Sequence, residues 1–236
     1  MPPIPAMLKP YQYGANKARI IAGAIALAAI IEYVIAEALT AMAWKNPPYN
    51  YAHYFISDLG VSGPPVTFQG RFIYSPIYYV MNSAFFIEGI LAIASALLLR
   101  QLFTSKIGRI TLPLLAVLHG IGMFGVAIVH GSPDTMDKPI GAVHVIGASL
   151  AIILGNVECI CAGIAARRIG APQWYKNYSV FMGVFGLLGL VALLTLHSIP
   201  PGITERISVY SIIGWDITTG VFLLVTLNRL MVGEAT

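Results

Sequence analysis

ARIIAGAIALAAIIEYVIAEALTAMAW, residues 18–44, decides the fold of this chain. Apart from Arg19, its ionisable residues are two glutamates, Glu32 and Glu37, set in aliphatic sequence. About 20 such residues suffice to cross a ~30 Å hydrocarbon core as a helix. Ala41-Met42-Ala43 imitates a signal-peptide cleavage site. The apolar run before it is about 24 residues, however, against ~7–15 for the core of a signal peptide, so a retained first span is expected.

Comparable runs recur at about 76–99, 110–130, 141–165, 179–198 and 207–231. The composition agrees: 57% of residues are hydrophobic, 10% are charged, and the mean hydropathy is +0.77. Soluble domains carry about 25% charged residues, so this chain cannot cover a water-exposed surface. In lipid every backbone polar group must be satisfied internally, and the alternating segments of a barrel are absent. The expected architecture is therefore all-α: a polytopic six-transmembrane-helix bundle over residues 18–231. Residues 1–17 form a cytoplasmic or interfacial lead, and residues 232–236 a cytoplasmic tail.

The net charge of +4 is less informative than its distribution. Lys9, Lys17, Arg19, Arg100, Lys106, Arg109, Arg167, Arg168, Lys176 and Arg229 fall on one side of the expected spans. Lys45, Arg71, Lys138 and Arg206 fall on the other. Ten against four places both termini in the cytoplasm by the positive-inside rule, and the expected location is the cell (plasma) membrane. These short basic clusters belong at lipid headgroups, and no nucleic-acid partner is expected.

The outer segments hold the polar complexity. Loop 45–75 carries Tyr49, Tyr51, Tyr54, Phe55, Phe68, Phe72 and Tyr74. Tyr favours the headgroup layer, so this loop is expected to lie on the membrane as a cap. Within it, Ser57-Asp58-Leu59-Gly60 reads as a turn, with Asp58 bonding nearby backbone N–H groups. The helices also show small-residue faces, such as Ala148, Ala151 and Gly155 beside His144, or Gly183, Gly186 and Gly189. Such faces allow close helix approach in membranes. Cys159 and Cys161, two residues apart on a helix, diverge and read as core thiols.

Ionisable groups within the bilayer cost about 2.5–3.5 kcal/mol or more, so each calls for a partner or a role. Glu32, Glu37, Glu88, His119, Glu158 and Asp216 fall within spans. Counted from Ile207, Asp216 lies about 13 Å deep, the costliest carboxylate of the set. His130, His144 and His197 fall at or near the outer ends of spans three, four and five. Together with outer carboxylates they form a candidate zinc set, although no His-pair spacing fixes one. Haem is disfavoured: His119 lacks a partner of matching depth, and the second axial pair of a di-haem protein is missing.

Three stretches together resemble a known prokaryotic integral membrane family, catalogued as domain of unknown function 998. They are Ile56-Ser57-Asp58-Leu59-Gly60, the segment from His144 through Gly147-Ala148, and Gly202-Ile203-Thr204-Glu205-Arg206-Ile207-Ser208-Val209-Tyr210 leading to Trp215. The resemblance spans nearly the whole chain and implies six spans. More distantly, the first two stretches are similar to the Frag/DRAM/Sfk six-span group, some of whose members are associated with lipid-anchor remodelling or lysosomal membranes. That likeness carries over Ser57, Asp58, Gly60 and His144. Asp216, next to Trp215, departs from the pattern.

Three functions follow as expectations. The first is a lipid- or headgroup-binding site at the outer face, with lipid modification as its enzymatic version. Asp58, His144, His130 and His197 are its catalytic candidates, a histidine acting as general base and Asp58 orienting it. Ser57, Asp58, His144, Asp216, Trp215 and Arg206 are its substrate-binding candidates, and membrane lipids its partners. The second is an accessory or structural subunit that binds a protein partner or its own copy. The third is a proton-coupled transporter with Glu32, Glu88, His119 and Asp216 as relay.

Overall fold

The computed structural model describes residues 15–233, so most of the expected lead and tail segments lies outside the described residues. Six helical spans are long and apolar enough to cross a membrane: Lys17–Ala43, Tyr78–Leu102, Gly108–Ile128, Gly141–Ile169, Gln173–Thr195 and Pro201–Asn228. The first consists of α1 (Ala15–Ala29) and α2 (Ile31–Ala43). At their junction the Ile30 N–H donates to the Leu27 carbonyl and the Tyr33 N–H to that of Ile30, a tightened turn with i→i−3 bonds. The others are α3 (Tyr78–Leu99), α4 (Leu112–Ile128), α6 (Gly141–Ala166), α7 (Gln173–Thr195) and α8 (Pro201–Gly233), with the single-turn α5 (Pro133–Met136) before α6.

Each span packs on its neighbours in sequence, and α8 closes the ring against α1. Short connections favour this antiparallel order after the long first loop, and small residues set its spacing. A methyl group on Gly122 of α4 would stand 2.5 Å from the Gly147 carbonyl of α6. On Gly220 of α8 it would stand 2.5 Å from the Ala28 nitrogen of α1. Gly183 and Gly186 of α7 press against Asn156 of α6. The small faces read from the sequence are thus contact faces, where packing replaces the missing hydrophobic drive between helices. Large apolar residues point outward instead, among them Ile128, Leu188 and Leu194.

The aromatic loop, expected as a cap, is anchored in the bundle. Ile56, Leu59 and Ile73 are each at most 1% exposed, as is Trp44 just before it, so part of the loop descends into the mouth of the bundle. Burying these side chains favours this over a position in the headgroup layer. Trp44, Tyr49 and Tyr54 form a ring cluster with centroids 5.2–5.5 Å apart. Beyond the 3₁₀ turn Ser57–Gly60 comes an unforeseen hairpin, β1 (Val66–Phe68) and β2 (Arg71–Ile73), with Thr67 opposite Phe72. Its two turn residues, Gln69 and Gly70, have φ of 49° and 76°, as a type I′ turn requires.

Candidate functional site

Span six begins at Pro201, six residues before the expected start at 207, so Glu205 and Arg206 lie inside its helix. Arg206 Nε and Nη2 donate to Glu37 Oε1 on α2, at 3.0 and 2.8 Å. Nη1 donates to the carbonyls of Tyr51, Tyr54 and Gly202, and Nη2 also to the Tyr49 hydroxyl. Tyr210 donates to the other Glu37 oxygen at 2.7 Å. Expected among the substrate-binding residues, Arg206 instead has its donors engaged within the protein. A buried charge pair of this kind is stable only when such extra hydrogen bonds satisfy it.

The same network anchors the Ser57–Gly60 turn. Glu205 Oε2 accepts the Ile56 N–H at 2.6 Å. Asp58 Oδ2 accepts the Phe55 N–H at 2.9 Å and Arg71 Nε at 3.0 Å. Burial pushes the Asp58 carboxyl above its ordinary range, while Arg71 and the Phe55 N–H pull the other way. Ser75 donates to the Leu59 carbonyl, and Asn82 to that of Gly60.

The three histidines expected at the outer face do not gather into one site. His144 places Nδ1 2.6 Å from the Val129 carbonyl at the end of α4, which fixes that nitrogen as the donor. His130 Nδ1 meets Ser132 Oγ at 2.9 Å, and Ser132 in turn donates to Asp134. That bond holds the Asp134 carboxyl below its usual range. His197 is exposed beyond the end of α7. Among the described residues no three His, Cys, Asp or Glu side chains gather as metal ligands, and His144 and Asp58 share no hydrogen bond.

The groups that do converge lie deeper. His119 on α4 bridges two neighbouring helices, with Nδ1 2.7 Å from the Ala151 carbonyl on α6 and Nε2 2.8 Å from Glu88 Oε1 on α3. Both residues are buried, at 3% and 0% exposure. The second Glu88 oxygen and one Glu32 oxygen are buried without a hydrogen-bond partner. Glu32, Glu158 and Asp216 lie within electrostatic reach of this pair.

Two cavities of about 60 Å³ each flank the group. The first runs from Ile56, Ser57 and Glu205 at the loop face down to Glu88 and His119. The second lies toward the opposite face, where Ser95, Glu158, Trp215, Tyr175 and Thr219 join an otherwise apolar wall. A buried water needs about 10–15 Å³ of such space, so each cavity has room for a few. Trp215 donates to Ser179 at 2.9 Å. Asp216, 5% exposed, has no hydrogen-bond partner among the described residues.

Because a carbonyl accepts from His119 Nδ1, that nitrogen always carries a proton. Its Nε2 therefore shares one further proton with Glu88: either the imidazolium faces a carboxylate, or the neutral ring accepts from a carboxylic acid. Sequence reasoning had named both residues, but not their pairing. It missed Glu205 as an anchor of the turn, and the Glu37–Arg206 pair, because it placed Arg206 in a loop.

The chain belongs to the family described as protein of unknown function (DUF998), whose profile matches residues 20–222. No curated protein and no solved structure matches it.

Proposed function

We propose that this multi-pass membrane protein is a proton-coupled carrier whose proton-binding group is the Glu88–His119 pair. The observation that carries the proposal is the buried 2.8 Å contact between Glu88 Oε1 and His119 Nε2, at the foot of a cavity reaching up to the loop-face turn. A pair serving only to join helices needs no further carboxylates near it. Here Glu32, Glu158 and Asp216 lie within electrostatic reach, and oxygens of Glu32 and Glu88 lack hydrogen-bond partners among the described residues. Buried titratable groups facing a bundle interior are characteristic of proton relays. In this account the loop-face cavity supplies water, Glu88–His119 holds the proton, and Asp216 with Glu158 leads toward the second cavity.

Two tests need no knowledge of the co-transported substrate, because one reads the proton-binding group and the other the proton slip through the empty carrier. Infrared difference spectra of reconstituted protein after a pH step are expected to show a protonated-carboxyl band that disappears in Glu88→Gln. An acid pulse on proteoliposomes holding a pH-sensitive dye is expected to give a flux at least about tenfold slower in Glu88→Gln. Fluxes unchanged in both Glu88→Gln and Asp216→Asn would overturn the proposal.

A second reading, a lipid-binding protein, is favoured by a groove of about 580 Å³ between α7 and α8. Phe181, Phe185, Ile203, Ile207 and Tyr210 line it, and Tyr51 closes its loop-face end. An acyl chain fits such a wall. Its test is the lipid carried through purification: mass spectrometry is expected to find a bound lipid that Ser211→Trp, filling the groove, displaces.

A further inference from the structure

We propose that the groove at the hairpin tip binds a phosphate group. The groove, about 610 Å³, lies on the loop face between Pro47-Pro48, the hairpin turn and the start of α8. Its polar side chains are Asn50, His53, Tyr54, Gln69 and Arg71. What marks it for an anion is an excess of donors over acceptors. Asn50 Oδ1 already accepts the Ala52 N–H at 3.0 Å, leaving its amide nitrogen to donate. Gln69 Oε1 faces the two Arg71 Nη atoms at 3.4 and 3.5 Å, contacts long enough for a better acceptor to displace. The His53 ring is exposed and has no partner among the described residues, and in either protonation state it can donate.

Arg71 is held in place for this role. Asp58 fixes its Nε at 3.0 Å, and its guanidinium lies 4.4 Å from the centre of the Phe55 ring. The two Nη groups are therefore presented in one orientation, the fork geometry that matches a phosphate. Asp58, 2% exposed, is not part of the groove wall. Pro201 belongs to that wall and opens the 33-residue α8, so the positive end of a long helix dipole adds to the potential there. The site is separate from Glu88–His119, and the two proposals stand or fall apart.

A phosphate can arrive free or as a lipid headgroup, and two arms distinguish these sources. The full-length protein, purified in neutral detergent, is titrated with inorganic phosphate against chloride at equal ionic strength. In parallel it is titrated with mixed micelles containing phosphatidylglycerol, against the same micelles containing diacylglycerol. Thermal midpoint is the readout. A saturable rise in the first arm assigns a free oxyanion, in the second a headgroup, and in both a site open to either. Arg71→Lys, which keeps the charge but loses the fork, is expected to weaken binding about tenfold. The double variant Asn50→Ala/His53→Ala leaves the Asp58–Arg71 pair intact and is expected to weaken it similarly. No saturable rise in either arm, or equal midpoints for wild type and both variants, would overturn the proposal.

Discussion

The two places where this chain buries charge differ in how far that charge is satisfied. At the loop face, Glu37 and Arg206 meet in a set where both carboxylate oxygens and every guanidinium nitrogen have partners. Halfway down the bundle, Glu88 and His119 share one bond, while oxygens of Glu88 and Glu32 remain without one. Full satisfaction holds a structure in one arrangement, because any proton change leaves a donor or acceptor stranded. Partial satisfaction beside a cavity leaves room for a proton to come and go. The contrast separates a clasp at the loop face from the deeper pair proposed above as the exchange site.

The strongest way to break this contrast is Arg206→Met. It leaves Glu37 buried and unpaired, and breaking a buried pair from one side costs about 3–5 kcal/mol. Detergent-solubilised protein is expected to lose most of its folded fraction on size exclusion, and Glu37→Leu/Arg206→Met to recover a large part of it. If the single variant folds normally, the clasp has no structural role.

Asp58→Ala comes next. It removes the acceptor of Arg71 and of the Phe55 N–H, each a charge-assisted bond at a largely buried oxygen. A loss of about 1.5–3 kcal/mol is expected in reversible unfolding, with the hairpin as the first segment to gain hydrogen exchange.

Glu88→Gln sharpens the comparison from the other side. The amide can still donate to His119 Nε2, so stability is expected to change by less than about 1 kcal/mol while the carboxyl infrared band disappears. A stability loss as large as that of Arg206→Met would make the deeper pair a second clasp. The smallest effect is on orientation. Thr67→Cys, exposed on β1, is expected to leave stability unchanged and to react with an impermeant thiol reagent added outside intact cells. Labelling only after permeabilisation would invert the expected topology.

Much of the architecture was legible because the bilayer imposes a length and a composition that a linear count detects. Span four was expected at 141–165, and α6 runs Gly141–Ala166. Span six was misplaced at its start because Glu205 and Arg206 read as loop residues. Nothing local reveals that Glu37, 169 positions away, neutralises the arginine. The outer histidine site failed to assemble for a related reason: His144 was placed at the right end of its helix, but its ring turns to a carbonyl rather than to Asp58. The hairpin was hidden because Gln69-Gly70 is a weaker I′ signal than Asn-Gly.

By itself, then, the sequence determined that this is a six-span helical membrane protein, where its intramembrane charges lie along each helix, and which faces are small enough to pack. Only the tertiary structure decided which charges meet. Hydrophobic length and side-chain size act one residue at a time and can be summed along a chain. A hydrogen bond depends on direction and on distances of a few tenths of an ångström, which exist only once the ring has closed.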